Sequence, residues 1–134
     1  MFYFDPTIID SMAKARLSCP GALINLDFKD YRLLMAERAV VCAVRVKTED
    51  PFPAFLASLR SELFNAQSAI DEPEGVMIHL MSAPEADVTM ENYKSLLDLM
   101  TEIFGKGTNV KLGYSIDDSL PHNHKDIMVI VAGN

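Results

Sequence analysis

The 134-residue sequence is short of cysteine and of basic residues, and it has no tryptophan. Its two cysteines, Cys19 and Cys42, are too few for a disulfide framework or a structural zinc site. Twelve Lys and Arg stand against 19 Asp and Glu, a net charge of -7, which disfavours binding to a phosphate backbone. No apolar run approaches the roughly 18 residues that cross a bilayer, and the first residues lack the pattern of a signal peptide. We therefore expect a cytoplasmic protein with no membrane span and no nucleic-acid partner.

The composition that remains is typical of one folded domain. Hydrophobic residues make up 49% of the chain and charged residues 23%. A chain of this length can bury roughly two thirds of its unfolded surface. Since no repeat, low-complexity tract or linker divides the sequence, we expect one compact unit.

Apolar periodicity predicts four helices and four strands. The helices are marked by apolar residues at intervals of three and four, and they begin near Asp5, Asp27, Pro51 and Thr89. The strands are short runs rich in valine and isoleucine, at 39–46, 76–81, 110–116 and 127–132.

The order of the predicted strands and helices limits the topology. Helical crossovers make three strands parallel, and the short loop at 117–125 makes the last strand antiparallel. The sequence therefore predicts an α/β two-layer sandwich with a four-stranded mixed sheet. Two crossover helices lie on one face of that sheet, or on both faces if it is fully covered.

One polar cluster combines residue types that could form a functional site. Asn25, Asp27 and Asp30 lie in a segment that runs into the second helix, residues 20–30, which we call the acidic loop. Such a group can order a water molecule or a cation. The alternative is structural, with Asp27 capping the helix and Asp30 a solvated carboxylate of its first turn. Four apolar residues are expected to anchor the loop: Leu23, Ile24, Leu26 and Phe28.

The order of residues in this segment resembles a motif of a known family. Residues 20–31 read Pro-Gly-Ala-Leu-Ile-Asn-Leu-Asp-Phe-Lys-Asp-Tyr. They are similar to the activating loop of FtsZ, the bacterial and archaeal relative of tubulin, which reads approximately Pro-Gly-Leu-Ile-Asn-Val-Asp-Phe-Ala-Asp-Val, and Ala22 is an insertion. Three later segments resemble strands of the FtsZ C-terminal domain, at 75–80, 109–117 and 127–133. The resemblance runs in order from about Ile9 to the end of the chain.

The resemblance implies a domain division and a role for each loop residue. Residues 1–20 would be the end of a central-type helix, and residues 21–134 an FtsZ C-terminal-like domain. In that family the loop enters the nucleotide pocket of the next subunit in a filament and completes its GTPase site. Carried over by position, Asp27 and Asp30 would orient the attacking water and a nearby cation, and Asn25 would contact the phosphate side of the pocket. GTP and Mg would be bound by the partner subunit, and this chain would hold no cofactor or metal.

The sequence departs from the family in ways that leave other functions open. It has no glycine-rich phosphate loop, so we expect that it is not a GTPase on its own. The chain is then a fragment of a longer protein or a natural stand-alone domain. A stand-alone domain would cap or regulate FtsZ-like filaments, or would be a non-enzymatic homo-oligomer, since fold does not fix function.

Two weaker signals have a structural and a functional interpretation each. His79, on an apolar strand, is more often a satisfied sheet histidine than a ligand. A local basic excess is more often a solvated or interface surface than a phosphate site, and it comprises Lys29, Arg32, Arg38, Arg45 and Lys47.

Overall fold

The computed structural model is a mixed β-sheet with helices on both faces, and it describes residues 2–17, 22–24, 26–36, 40–70, 72–105 and 107–133. The strands are β1 (Phe2–Tyr3), β2 (Ala22–Ile24), β3 (Val40–Thr48), β4 (Pro73–Ser82), β5 (Asn109–Ile116) and β6 (Lys125–Gly133). The helices are α1 (Pro6–Leu17), α2 (Phe28–Met35), α3 (Phe52–Ala69) and α4 (Met90–Phe104).

The strand order across the sheet is β1-β3-β6-β4-β5-β2. β4 and β5 are parallel, and β6 runs antiparallel between β3 and β4, so that β3, β4 and β5 share one direction. The predicted set of three parallel strands and an antiparallel last strand is therefore confirmed. The predicted count of four strands is wrong, because β1 and β2 pair antiparallel at the two edges of the sheet. At two and three residues they are too short to show an alternating pattern.

Alternate residues of the central strands face two separate cores. On one face Cys42 and Val44 pack with α3 and α4, the two crossover helices. On the other face Val41 and Ala43 pack with residues of α1 and α2. The two-layer description was thus incomplete, because α1 and α2 cover the second face. A strand buried on both faces is apolar almost throughout, as β3 and β6 are.

Side chains and glycine mark the helix ends. The Thr89 hydroxyl accepts a hydrogen bond from the Asn92 N–H at 3.1 Å, and Gly105 follows α4 with a φ of 82°. The Phe52 N–H at the start of α3 donates to the Asp87 carboxylate at 2.8 Å. Among the described residues, no helix is long and apolar enough to cross a membrane.

Candidate functional site at the acidic loop

A reciprocal capping box fixes the two aspartates of the acidic loop. Asp27 is the N-cap of α2, and its Oδ1 accepts a hydrogen bond from the Asp30 N–H at 3.0 Å. Asp30 returns the contact, because its Oδ2 accepts from the Asp27 N–H at 3.1 Å. The structural interpretation is thus confirmed for Asp27, and Asp30 is a capping partner as well as a first-turn carboxylate. Asn25 lies outside the described residues.

The capping box leaves half of each carboxylate available. Within the described residues, the hydrogen bonds engage only Oδ1 of Asp27 and Oδ2 of Asp30. Asp27 is exposed and Asp30 is half-buried. Each carboxylate therefore keeps one oxygen that can accept a hydrogen bond from water or approach a cation, while the cap restricts its rotamer.

The loop is anchored by Leu26, immediately before the cap. Leu26 is buried, and it packs where β5 carries Gly113. A Cβ at Gly113 would lie 2.6 Å from the Cβ of Leu26, so only glycine admits this contact. The expected anchoring role is wrong for Leu23 and Ile24, which are 63% and 40% exposed. β2 is an edge strand with all three of its residues exposed, and among the described strands it pairs with β5 alone.

The first turns of α2 continue this anchoring. The Phe28 ring stacks on the ring of Tyr31 with centroids 5.3 Å apart, and the Arg32 guanidinium lies 5.1 Å from the Phe28 centroid. Tyr31 is buried in the core beneath α1 and α2. Leu34 lies so close to Gly75 of β4 that a Cβ there would clash with it. The helix that carries Asp30 is therefore held firmly against the sheet.

A buried ionic network holds the last turn of α1, just before the acidic loop. The Arg16 guanidinium donates to Asp126 Oδ1 at 2.8 Å and to the backbone carbonyls of His79 and Asp126 at 2.9 and 2.7 Å. Arg45 donates to both carboxylate oxygens of Asp126, at 3.1 and 2.7 Å. Each buried charge is thus paired and hydrogen-bonded, as burial requires.

His79 is the neutral member of this network. Its Nδ1 accepts a hydrogen bond from Arg16 Nε at 3.2 Å, so the ring carries its proton on Nε2, which faces Ser115 Oγ at 3.3 Å. Burial and the charge of Arg16 lower the pKa of His79 to about 4. Burial alone would raise the pKa of Asp126, but the hydrogen bonds and charges of Arg45 and Arg16 outweigh it and hold that pKa below its ordinary value. His79 is thus a satisfied sheet histidine.

The sequence reasoning missed Arg16, Ser115 and Asp126. Arg45 was assigned to a solvated or interface surface, yet its guanidinium forms a bidentate pair with a buried carboxylate. One signal was available, since Asp126 and Arg45 stand within or beside long apolar strands, where a charge needs an opposite partner. No group of three or more histidine, cysteine or carboxylate side chains in the described part of the chain could hold a metal ion.

The fold is similar to that of solved FtsZ structures. An empty FtsZ dimer from M. jannaschii matches 94% of this chain with a TM-score of 0.68 and 21% identity, over 36% of the FtsZ chain. A tryptophan-to-tyrosine mutant of M. jannaschii FtsZ matches 95% of this chain with a TM-score of 0.66 and 19% identity, over 38% of its own length. The chain therefore spans little more than a third of these proteins. The resemblance to FtsZ found in the sequence is confirmed at the level of the fold.

No protein-family model matches the sequence, and the comparison with curated proteins gave no match.

Proposed function

We propose that this chain is the C-terminal domain of an FtsZ/tubulin-like cytoskeletal GTPase, which acts in the cytoplasm and supplies its acidic loop to the GTP site of a neighbouring subunit in a filament. The observation that carries the proposal is the pair of aspartates fixed by the capping box on an FtsZ-like fold, each with one oxygen available. The sequence of the acidic loop resembles the family's activating loop around these two aspartates.

The chemistry of phosphoryl transfer suits a loop of this kind. The reaction depends mainly on positioning and on electrostatic control, so a group supplied by a second subunit can switch hydrolysis on. In the proposal Asp27 and Asp30 accept hydrogen bonds from the attacking water and lie near a cation, and Asn25 contacts the phosphate side of the pocket. GTP is the substrate of the neighbouring subunit, where Mg would neutralise phosphate charge. The acidic loop thus positions the attacking water and contacts the cation and the phosphate side of the pocket, and it takes no covalent part in the reaction.

The proposed partner is an FtsZ/tubulin-like subunit, and self-association is one form of that partnership. One of the similar FtsZ structures is a dimer. A site shared between two chains agrees with the sequence, which has no glycine-rich phosphate loop and so no evident nucleotide-binding half.

A second candidate function rests on the exposed edge strand. Leu23 and Ile24, within the acidic loop, present apolar side chains to solvent close to the two aspartates, as expected of a surface that a partner covers. A domain that only binds through this surface would cap or regulate filaments without promoting hydrolysis. The two candidates therefore differ in their effect on GTP turnover, and they share the binding surface.

The experiment compares variants that keep the capping box but lose the charge. Asparagine is as good an N-cap as aspartate, so Asp27→Asn and Asp30→Asn keep an acceptor oxygen for each capping hydrogen bond. The probe is the separately purified nucleotide-binding half of M. jannaschii FtsZ, with phosphate release measured with and without this chain. We expect the wild-type chain to stimulate release and each variant to lose about 10-fold or more of that stimulation. Asp98→Asn, an exposed change on α4, is the matched control.

Three outcomes separate the candidates. Loss of stimulation with unchanged thermal stability supports the activating role. Equal stimulation by the wild type and both variants would contradict the roles assigned to the aspartates. Binding without stimulation, measured by sedimentation of the two halves together, would favour the capping function.

A further inference from the structure

The imidazole of His79 has three neighbours that each hold a different part of the chain around the acidic loop. His79 lies on β4, on the sheet face that α1 and α2 cover, and it is buried. Its neighbours are Arg16 in the last turn of α1, and Ser115 and Gly113 on β5. The ring is therefore placed where it can act on the loop without being part of it.

The first contact holds the chain that precedes the loop. Arg16 Nε donates to His79 Nδ1 at 3.2 Å, and a terminal nitrogen of the same guanidinium donates to the His79 carbonyl at 2.9 Å. Burial and the charge of Arg16 lower the pKa of His79 to about 4, so near neutral pH the ring can accept this hydrogen bond. The last turn of α1 is thereby tied to β4.

The second contact reaches the first described residues of the loop through β5. His79 Nε2 faces Ser115 Oγ at 3.3 Å, and Ser115 stands directly opposite Ala22 in the antiparallel pair of β5 and β2. Among the described residues, the imidazole is the hydrogen-bond partner of this buried hydroxyl. Loss of the imidazole would leave the hydroxyl unsatisfied beside the strand that begins the loop.

The third contact lies at Leu26, the residue just before the capping box. A Cβ at Gly113 would lie 2.6 Å from the Cβ of Leu26 and 3.1 Å from Cδ2 of His79. The leucine side chain and the edge of the ring therefore share the space above this glycine. The cavity beside Arg16 and His79 has a volume of about 10 Å³, which holds one water molecule at most, so the ring has no room to swing away from Leu26.

We propose that His79 is a positioning residue for the acidic loop, whose ring holds α1, β2 and Leu26 in one arrangement and so fixes where the two aspartates lie. This inference rests on the function proposed above for those aspartates. His79 touches no reacting group, and it acts through Leu26 and Ser115 on the place from which the carboxylates orient water. A displacement of about 1 Å at such a place can lower a rate by as much as about 100-fold.

The test compares two changes of the same side chain. His79→Leu fills the site but forms no hydrogen bond, whereas the amide of His79→Gln can replace both hydrogen bonds of the ring. Phosphate release by the nucleotide-binding half of M. jannaschii FtsZ is measured against the concentration of the chain. We expect His79→Leu to lower the maximal stimulation by about 10-fold with a nearly unchanged half-saturating concentration, and His79→Gln to retain most of the stimulation.

The control for lost stability is Leu63→Ala, a buried change in the core on the other face of the sheet. It should lower the thermal midpoint and keep the full stimulation at a temperature where the chain is folded. Ser115→Ala is a smaller change that removes one partner of the ring, and it should lower the maximal stimulation in the same direction as His79→Leu. It provides the test if His79→Leu does not fold.

A second measurement needs no GTPase. The N–H groups of Asp27 and Asp30 donate the two capping hydrogen bonds, so their amide exchange reports on the capping box in the chain alone. We expect exchange of both amides to be about 10-fold faster in His79→Leu, because the residues that carry the box are no longer held. Exchange should be unchanged in His79→Gln and in Leu63→Ala.

Three results would overturn the proposal. They are equal exchange of the two amides in the wild type and His79→Leu, an equal loss of stimulation in Leu63→Ala, and a raised half-saturating concentration with an unchanged maximum. If the wild-type chain stimulates no phosphate release, the function proposed for the acidic loop fails. The exchange of the two amides then still decides whether His79 positions the loop.

Discussion

His79 should make the free energy of unfolding depend on pH between pH 7 and pH 4. In the folded chain the pKa of this buried imidazole is lowered to about 4, first by desolvation and then by the Arg16 guanidinium. In the unfolded chain its pKa returns to about 6.5. The unfolded state therefore takes up the proton first, and stability that is fully present above about pH 6.5 is lost as the pH falls towards 4.

The size of this loss follows from the difference between the two pKa values. A shift of one pKa unit corresponds to about 1.4 kcal/mol, so the fall between pH 7 and pH 4 is about 3 kcal/mol for this residue alone. The structural cause is the geometry at Nδ1, which accepts the Arg16 Nε–H at 3.2 Å. A proton on Nδ1 would place two N–H groups and two positive charges against each other in a site that is only 5% exposed.

The assay is chemical denaturation at several pH values on three chains. His79→Gln offers an amide oxygen to Arg16 and an amide N–H to Ser115, and it does not titrate, so its unfolding free energy should fall by about 3 kcal/mol less than that of the wild type over this interval. His122→Gln removes a histidine whose side chain is 83% exposed and contacts Glu85, and it serves as the control for loss of an imidazole at the surface. The comparison removes the contribution of carboxylates such as Asp126, which is the same in all three chains. If His79→Gln kept the full pH dependence, the inference from the buried network would be refuted.

Two further predictions concern packing around the acidic loop. Gly113→Ala should lower the free energy of unfolding by about 1 to 3 kcal/mol in urea denaturation, because its Cβ would press on Leu26. The control is Gly107→Ala, whose Cβ would meet nothing within 4 Å and which should lower that free energy much less. Equal decreases in the two variants would contradict this account. Tyr31→Phe should leave the thermal midpoint unchanged or raise it, because the buried Tyr31 hydroxyl has no hydrogen-bond partner within the described residues. Tyr114→Phe removes a hydroxyl hydrogen-bonded at 2.7 Å and should cost about 1 kcal/mol, so a larger loss in Tyr31→Phe would refute the comparison.

The parts of the fold that were predicted correctly rest on long periodic signals. α3 and α4 carry apolar stripes over 18 and 15 residues, and β6 is an apolar run, so local pattern and tertiary burial agree. The parallel direction of β3, β4 and β5 follows from the handedness of helical crossovers and needs no side-chain detail. The edge strands β1 and β2 were missed because their pairing is decided by neighbours distant in the chain.

The candidate site could be predicted only where its contacts join residues that are close together in the sequence. The capping box joins residues three apart, and its Asp-x-x-Asp pattern is readable from the sequence. The Arg16–Asp126 pair joins residues 110 apart, and the Arg45–Asp126 pair joins residues 81 apart. No local pattern can assign such partners, since they are set by strand register and by where α1 crosses the sheet.

The arrangement of these contacts bears on how an exposed loop can hold two carboxylates in place. Before the loop, Arg16 ties the last turn of α1 to β4 and β6 through His79 and Asp126. After the edge strand, Leu26 is fixed against Gly113 of β5. The described residues on both sides of the edge strand are therefore anchored by contacts that do not use the aspartates, and the capping box then sets only the orientation of the two carboxylates. Because anchoring and orientation come from different residues, we expect that the charge of Asp27 or Asp30 can be removed without releasing Leu26 or α2, so the asparagine variants test the proposed stimulation of GTP hydrolysis separately from folding.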